Sequence, residues 1–163
     1  MILVLIYITA MVAANLLVAN FGPVVSPINA FLFIGLDLSL RDRLHVAWQE
    51  DRLMLRMLAM ICAAGAVSYA LNPSSGIIAV ASVVAFIVSS MTDTAVFSAM
   101  KGNSWTTRAN ASNVVSAMVD SILFPTIAFG VMMPAIVASQ FSMKVLGGAL
   151  WAYVLGKIVE SQA

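Results

Sequence analysis

The sequence predicts an all-α membrane protein, a six-transmembrane-helix bundle whose amino and carboxyl ends both lie on the inner side of the membrane. Hydrophobic residues make up 62% of the 163 positions, and charged residues only 9%. A soluble domain of this length needs far more polar surface to cover its core. In lipid the outer face must be apolar, and helices satisfy their backbone hydrogen bonds internally. Each crossing takes about 20 apolar residues, so the chain has room for about six.

Turn signals divide the chain into these helices, which together form one transmembrane domain over residues 1–163. Residues 20–23, 72–76 and 101–105 are rich in Asn, Gly, Pro and Ser, and they end the first, third and fourth helices. Pro27 suits the first turn of the second helix, and Pro134 marks the turn before the last one. The predicted helices cover residues 2–19, 27–44, 53–71, 77–100, 108–132 and 139–159.

Basic residues give the orientation, because the cytoplasmic segments of membrane proteins are enriched in lysine and arginine. With the amino end inside, the inner segments carry Arg41, Arg43, Arg52, Arg56, Lys101, Arg108 and Lys157. The outer loops, at 20–26, 72–75 and 133–140, carry no basic residue. This asymmetry predicts that both ends are inside.

Asp120 is an ionisable residue where lipid should exclude one. It lies about a dozen residues into the fifth predicted helix, near the middle of the bilayer. Ser116 lies four positions before it and Asn113 seven, so the three share one helix face. A polar stripe on a membrane helix faces a cavity or another helix. A ligand or ion site and hydrogen bonding between helices are both open interpretations.

Two other charged residues lie in predicted helices and have two interpretations each. Asp37 lies four positions before Arg41, so it is either functional or part of an interfacial salt bridge. Lys144 lies near the outer end of the sixth helix. Its side chain either extends to the headgroups or turns inward to pair with Asp120.

Asp93 and Asn15 are two further polar residues within predicted helices. Asp93 lies near the inner end of the fourth helix, where it is solvated, paired with Arg108, or functional. Asn15 is an amide in the first helix, and structural hydrogen bonding between helices is the commonest use of such a residue.

Small residues recur at a spacing of four in the last helix, at Gly148, Ala152 and Gly156. Such a stripe allows another helix to approach closely. The partner is either a helix of the same chain or a second subunit, so a homodimer through these three residues is one expectation.

The sequence contains no motif of a soluble enzyme: no phosphate-binding loop, no metal-ligand spacing and no nucleophile elbow. We therefore expect no enzymatic activity, no cofactor and no metal. The net charge of +1 gives no reason to expect a nucleic-acid partner. Without a nucleotide-driven motor, uphill transport would need an ion gradient or a partner ATPase.

Five segments in order carry a resemblance to a known family. They are residues 14–18 (ANLLV); 31–41 (FLFIGLDLSLR); 92–97 (TDTAVF); 110–112 (NAS) with 120–124 (DSILF) and 127–130 (IAFG); and 144–146 (KVL). The ordered set covers most of the chain and resembles the vitamin uptake transporter (VUT) family, also called the queuosine-precursor transporter family. The chain is shorter than the family pattern, and it lacks the glycine and tyrosine that follow the acid of the second helix.

The resemblance implies an importer of 7-deazaguanine compounds in the inner (plasma) membrane, encoded by a bacterium or a phage. The expected substrate is 7-cyano-7-deazaguanine or a close relative, a precursor of queuosine in transfer RNA. Transport is expected to be facilitative or coupled to an ion gradient.

Such a substrate suits the polar and aromatic residues of the predicted helices. A carboxylate accepts two adjacent N–H donors of a guanine-like ring, an amide bonds to ring oxygen or nitrogen, and a phenyl ring stacks on its face. Lys144 would neutralise the Asp120 carboxylate in the empty site. The expected substrate-binding residues are Asp120, Asp93, Asn15, Asp37, Lys144, Asn113, Ser116, Phe97 and Phe124.

Two alternatives remain open from the sequence. The chain is the substrate-binding subunit of an ATPase-coupled vitamin importer, or it is a membrane pore or assembly protein that transports nothing. Uptake by the protein alone would exclude the first alternative, and saturable ligand binding would exclude the second.

Overall fold

The computed structural model describes residues 2–48 and 52–160, apart from the side chains at 38, 41–43, 45–47, 53, 105–106, 108–109, 152 and 155–160. This part of the chain is almost entirely helical and contains no strand. The helices are α1 (Ile2–Phe21), α2 (Ser26–Asn29), α3 (Gly35–Trp48), α4 (Leu53–Leu71), α5 (Gly76–Ala99), α6 (Trp105–Phe129) and α7 (Pro134–Glu160). A π-helical turn, Ala30–Ile34, joins α2 to α3. We call residues 26–48 the second segment.

The largest boundary correction concerns the last helix, which begins at Pro134 and not at residue 139. Proline is favoured in the first turn of a helix, where its missing N–H would have no partner. The prediction treated this proline as part of a turn and therefore placed residues 133–140 in an outer loop. The second segment also runs beyond the predicted residue 44, to Trp48, and α1 runs beyond residue 19, to Phe21.

Local capping explains the observed ends of α6. The Ser104 hydroxyl accepts a hydrogen bond from the Thr107 backbone N–H at 3.3 Å, so the helix begins at Trp105, three residues before the predicted start. At the other end Gly130 has a φ of 71°, the left-handed conformation that commonly ends a helix. The helix therefore stops at Phe129, three residues before the predicted end.

Within the described residues, four stretches are long and apolar enough to cross a membrane: Ile2–Asp37, Met54–Leu71, Pro73–Ala99 and Asn110–Phe129. The first of them includes α1 and the beginning of the second segment, and α7 is not among them. The prediction of an all-helical membrane protein is confirmed at this level. The count of six spans and the orientation remain predictions.

In the described part of the chain, six helical segments form a ring around a central space. The order around the ring is α1, α4, α5, α6, α7 and the second segment, which packs against α1 and closes the ring. The short connections at 22–25, 72–75 and 130–133 lie at one end, where Val18, Ile78 and Ala128 meet in a buried cluster. We call this the turn end and the opposite end the charged end.

The π turn decides which side chains of the second segment face the ring centre. Its i→i+5 bonding accommodates one residue more than an α-turn, which changes the rotation by about 100°. Asn29 and Asp37 are eight positions apart. They would differ by about 80° around a plain α-helix, but with the π turn they differ by about 20°. Both are buried, at 5% and 6% exposure, and both face the central space.

Two glycines allow the second segment and α7 to cross in backbone contact. A Cβ on Gly35 would lie 2.6 Å from the carbonyl carbon of Gly147, and a Cβ on Gly147 would overlap the Phe31 carbonyl oxygen. One turn further along, Ser39 Oγ donates a hydrogen bond of 3.2 Å to the Gly148 carbonyl oxygen. The crossing therefore holds the two helices in a fixed register.

This crossing gives Gly148 of the small-residue stripe a contact inside the chain. The side chain of Ala152 and the surroundings of Gly156 lie outside the described part of the structure. The predicted homodimer therefore stays a prediction.

A buried apolar cluster, which we call the floor cluster, fills the ring on the side of the charged end. It consists of Tyr7, Met11, Leu40, Leu44, Met57, Met60, Ile61, Ala64 and Phe86. Three of these residues, Met11, Ile61 and Phe86, also line the central space. The floor cluster therefore closes that space toward the charged end.

Candidate functional site

A cavity lies at the centre of the ring, and all six segments contribute to its wall. Its volume is about 70 Å³, counted over the positions that the centre of a water molecule can occupy. This is about five times the space that one buried water needs. The wall consists of Met11, Ala14, Asn15, Ser26, Asn29, Ala30, Ile34, Asp37, Ile61, Ser82, Phe86, Ser89, Ser116, Ala117, Asp120, Phe124, Gln140 and Lys144. Ten of these eighteen side chains are polar or charged and eight are apolar, so the wall is more polar than that of most small-molecule sites, where a few polar groups fix the ligand in a mainly apolar wall.

An ion pair between Lys144 on α7 and Asp120 on α6 forms part of this wall. The side chains are 3% and 25% exposed, respectively. Each residue lies about 14–15 Å along its helix from the turn end, a distance of about half the thickness of a hydrocarbon layer. Lys144 thus turns inward, and of its two predicted orientations the structure shows the pairing one. The pair leaves this part of the cavity without net charge.

Asn15 is part of the wall and also joins three helices. Its Nδ2 donates to Ser68 Oγ on α4 at 3.2 Å, and its Oδ1 accepts from Ser82 Oγ on α5 at 2.8 Å. Ser68 Oγ in turn donates to the Ala64 carbonyl oxygen at 2.7 Å. Both ends of the amide are therefore used within the protein, so Asn15 is a fixed part of the wall.

Three buried polar side chains nearer the turn end have atoms without hydrogen-bond partners in the described structure. We call Ser26, Asn29 and Gln140 the amide cluster; they lie on α2 and α7, which pack together. Both amide atoms of Gln140, Ser26 Oγ and Asn29 Oδ1 lack a partner, while Asn29 Nδ2 donates to the Ala14 carbonyl oxygen at 2.9 Å. Because most buried polar atoms in proteins are paired, these groups are available to a ligand or to water.

Two phenyl rings, Phe86 of α5 and Phe124 of α6, add aromatic surface to the wall. Among the side chains that the structure describes, no group of three or more His, Cys, Asp or Glu residues could hold a metal ion. The chemistry available in the cavity is hydrogen bonding, ion pairing and contact with aromatic faces.

The structure brings six of the nine predicted site residues together at the cavity: Asp120, Lys144, Asn15, Asp37, Ser116 and Phe124. The other three are not part of the wall. Asn113 is exposed on α6, and Asp93 and Phe97 lie in the last two turns of α5, toward the charged end. The side chains of Arg41 and Arg108, which the sequence offered as alternative partners of Asp37 and Asp93, lie outside the described part. A substrate-binding role for any of the nine remains a prediction.

Several wall residues were not predicted from the sequence, although the spacing of one of them in its helix indicates its position. Gln140 lies four positions before Lys144 and so on the same face of α7. It lies where the predicted outer loop (133–140) and the predicted last helix (139–159) overlap, so it was not recognised as a polar residue inside a membrane helix. Asn29 offered no comparable signal, because its orientation depends on the π turn. The remaining missed polar or aromatic residues are Ser26, Ser82, Ser89 and Phe86.

Comparison with known proteins gives one match. Neither a curated protein nor a solved structure matches the chain. One family model, described as "Putative vitamin uptake transporter", matches residues 2–158. The matched range contains all six helical segments, apart from the last residues of α7, and every residue of the cavity wall. The chain therefore belongs to the vitamin uptake transporter family.

Proposed function

We propose that the protein imports a 7-deazaguanine base, 7-cyano-7-deazaguanine or a close relative, across the inner membrane of a bacterium. Transport would be facilitative or coupled to an ion gradient. Membership of a transporter family supports the general class. The observation that supports the choice of substrate is the Asp120 carboxylate in the central cavity, together with two phenyl rings of the same wall.

The Asp120 carboxylate suits the donor edge of a guanine-like ring. That edge presents two neighbouring N–H groups, and a carboxylate can accept both in a bidentate arrangement. The ion pair engages Asp120 Oδ2, so Oδ1 remains to accept a hydrogen bond from a ligand. Lys144 would shift from Oδ2 when the second bond forms. Phe86 and Phe124 would contact the faces of the ring.

The ion pair also suits a substrate without charge. In the empty cavity Lys144 neutralises the Asp120 carboxylate, so the buried pair carries no net charge. A neutral base that binds there adds no charge to the middle of the membrane, where charge is costly.

The test is uptake of radiolabelled 7-cyano-7-deazaguanine by the purified protein in liposomes. We expect saturable uptake that the unlabelled base inhibits and thiamine does not. Asp120→Asn should lower uptake at least tenfold per folded protein. Thr126→Val is the matched control, because Thr126 lies on the same helix, outside the wall, and its hydroxyl bonds to the Ile122 carbonyl oxygen of its own helix.

The other outcomes separate the alternatives. Saturable binding in detergent without uptake in liposomes would favour a binding subunit that needs an ATPase partner. A protein that neither binds nor transports the base would refute the proposal and leave a pore or assembly function.

A further inference from the structure

Gln140 is buried in a way that calls for an explanation. Its side chain is only 2% exposed, and neither Nε2 nor Oε1 has a hydrogen-bond partner in the described structure. An amide that loses its water and gains no partner destabilises the folded state. Asn15 shows the contrasting arrangement, because both ends of its amide bond to other helices.

The position of Gln140 places it beside the ion pair. It precedes Lys144 by four residues, so it lies on the same face of α7, about 6 Å nearer the turn end. Both residues line the one cavity. A bicyclic heterocycle whose donor edge meets Asp120 spans a distance of this order, so its five-membered ring would reach the level of Gln140.

The amide cluster provides donors and acceptors together at that level. Gln140 offers an N–H donor and a carbonyl acceptor, Asn29 Oδ1 offers an acceptor, and the Ser26 hydroxyl can act as either. The Gln140 side chain thus matches a ligand edge that carries a donor directly beside an acceptor.

We infer that Gln140 is a second ligand-binding residue, which pairs through its amide with the edge of the base remote from Asp120 and so selects the free base over its nucleoside. The identity of the ligand rests on the proposed function. When the carboxylate takes the N–H donors of the six-membered ring, the remaining adjacent donor and acceptor are the N–H of the five-membered ring and the neighbouring ring nitrogen. Attachment of ribose replaces that N–H, so a nucleoside lacks the donor.

The test compares wild type with Gln140→Met, which has similar length and no polar amide. Two quantities are measured in detergent: the melting temperature without ligand, and the affinity for 7-cyano-7-deazaguanine and for its ribonucleoside. We expect the variant to melt at the wild-type temperature or higher, because two unpaired polar groups have been removed. Its affinity for the base should fall at least tenfold, and the preference for base over nucleoside should shrink.

Ser142→Ala is the matched control on α7. Ser142 is exposed, and its hydroxyl bonds to the Ala138 carbonyl oxygen of the same helix at 2.9 Å. This variant should change neither the melting temperature nor the two affinities.

Each other outcome decides the matter. A Gln140→Met protein that melts lower and binds the base normally would show a structural role and overturn the inference, while the proposed function stands. A wild type that binds nucleoside as tightly as base would overturn the selectivity.

If wild type binds no deazaguanine, the proposed function fails, and guanine, hypoxanthine and uracil serve as probes instead. A probe bound tenfold less tightly by the variant supports the role of Gln140; equal binding, or no binding of any probe, overturns it.

Discussion

Replacing Asp120 by Asn should destabilise the protein more than replacing Lys144 by Met, although both changes break the same ion pair. Removing one partner of a buried pair costs about 3–5 kcal/mol, mainly because the other charge stays buried. Asp120→Asn leaves Lys144, which is 3% exposed, whereas Lys144→Met leaves Asp120, which is 25% exposed and can hydrate from the cavity. We therefore expect a loss of about 4 kcal/mol for the first change and about 2 kcal/mol for the second.

The assay is reversible unfolding in mixed detergent, followed by circular dichroism, for wild type, both single variants and the double variant. The double variant retains no charge at the pair, so its free energy of unfolding should lie within about 1 kcal/mol of wild type. The difference between the double variant and the sum of the singles measures the coupling of the two side chains.

Two results would refute this reasoning. Equal losses for the two single variants, or a larger loss for Lys144→Met, would show that the unequal exposure of the charges does not govern the cost. A double variant as unstable as the sum of the singles would show that the two residues do not interact.

Two further predictions concern the second segment and its contact with α7. Gly147→Ala should lower the free energy of unfolding by about 1–3 kcal/mol or more, since the added Cβ overlaps the Phe31 carbonyl oxygen. Gly102→Ala is the control: no atom lies within 4 Å of the added Cβ, so the same unfolding assay should show no change. An equal effect of the two substitutions would contradict the close crossing. Deletion of Leu32, an exposed residue of the π turn, should convert that turn to α-helix with little effect on folding or ligand binding. Deletion of Val115, an exposed residue of the regular helix α6, should instead rotate half of that helix by about 100° and prevent folding. Circular dichroism and gel filtration would show the loss of the folded state. If the protein without Val115 folds and the protein without Leu32 does not, the π turn does not hold an extra residue in the way described.

The sequence allowed the ion pair to be anticipated, because a charged residue within an apolar helix has few ways to avoid lipid. Asp120 and Lys144 were each recognised by this criterion alone, and their pairing was one of two possibilities. Asn15 was recognised in the same way, and its commonest use, hydrogen bonding between helices, is what the structure shows.

The amide cluster could not be read from the sequence in the same way. Gln140 was hidden by a boundary error at Pro134, since a proline that begins a helix and one that belongs to a turn look alike in a single sequence. Asn29 and Asp37 are eight positions apart, and only the π turn brings them to one face. No residue pattern considered above signalled that extra residue.

The packing order of the helices could not be predicted either, because it depends on contacts between residues that are far apart in the sequence. The turns predicted six helices, but the second segment packs against α7 where Gly35 meets Gly147, and this contact depends on two distant glycines at the same height. The small-residue stripe correctly indicated a close approach at Gly148, and it did not indicate which helix would approach.

The floor cluster has a consequence for the direction in which a solute can leave the cavity. Nine buried apolar residues would have to separate on the charged side, against four, Val18, Ile78, Ala81 and Ala128, in the buried cluster at the turn end. We therefore expect opening toward the charged side to be the slower of the two, because it separates the larger apolar cluster. Three of the nine, Met11, Met57 and Met60, are unbranched thioethers that can repack around a passing ring without leaving a void. Their flexibility would set the turnover rate, whereas the polar wall above them would set the affinity.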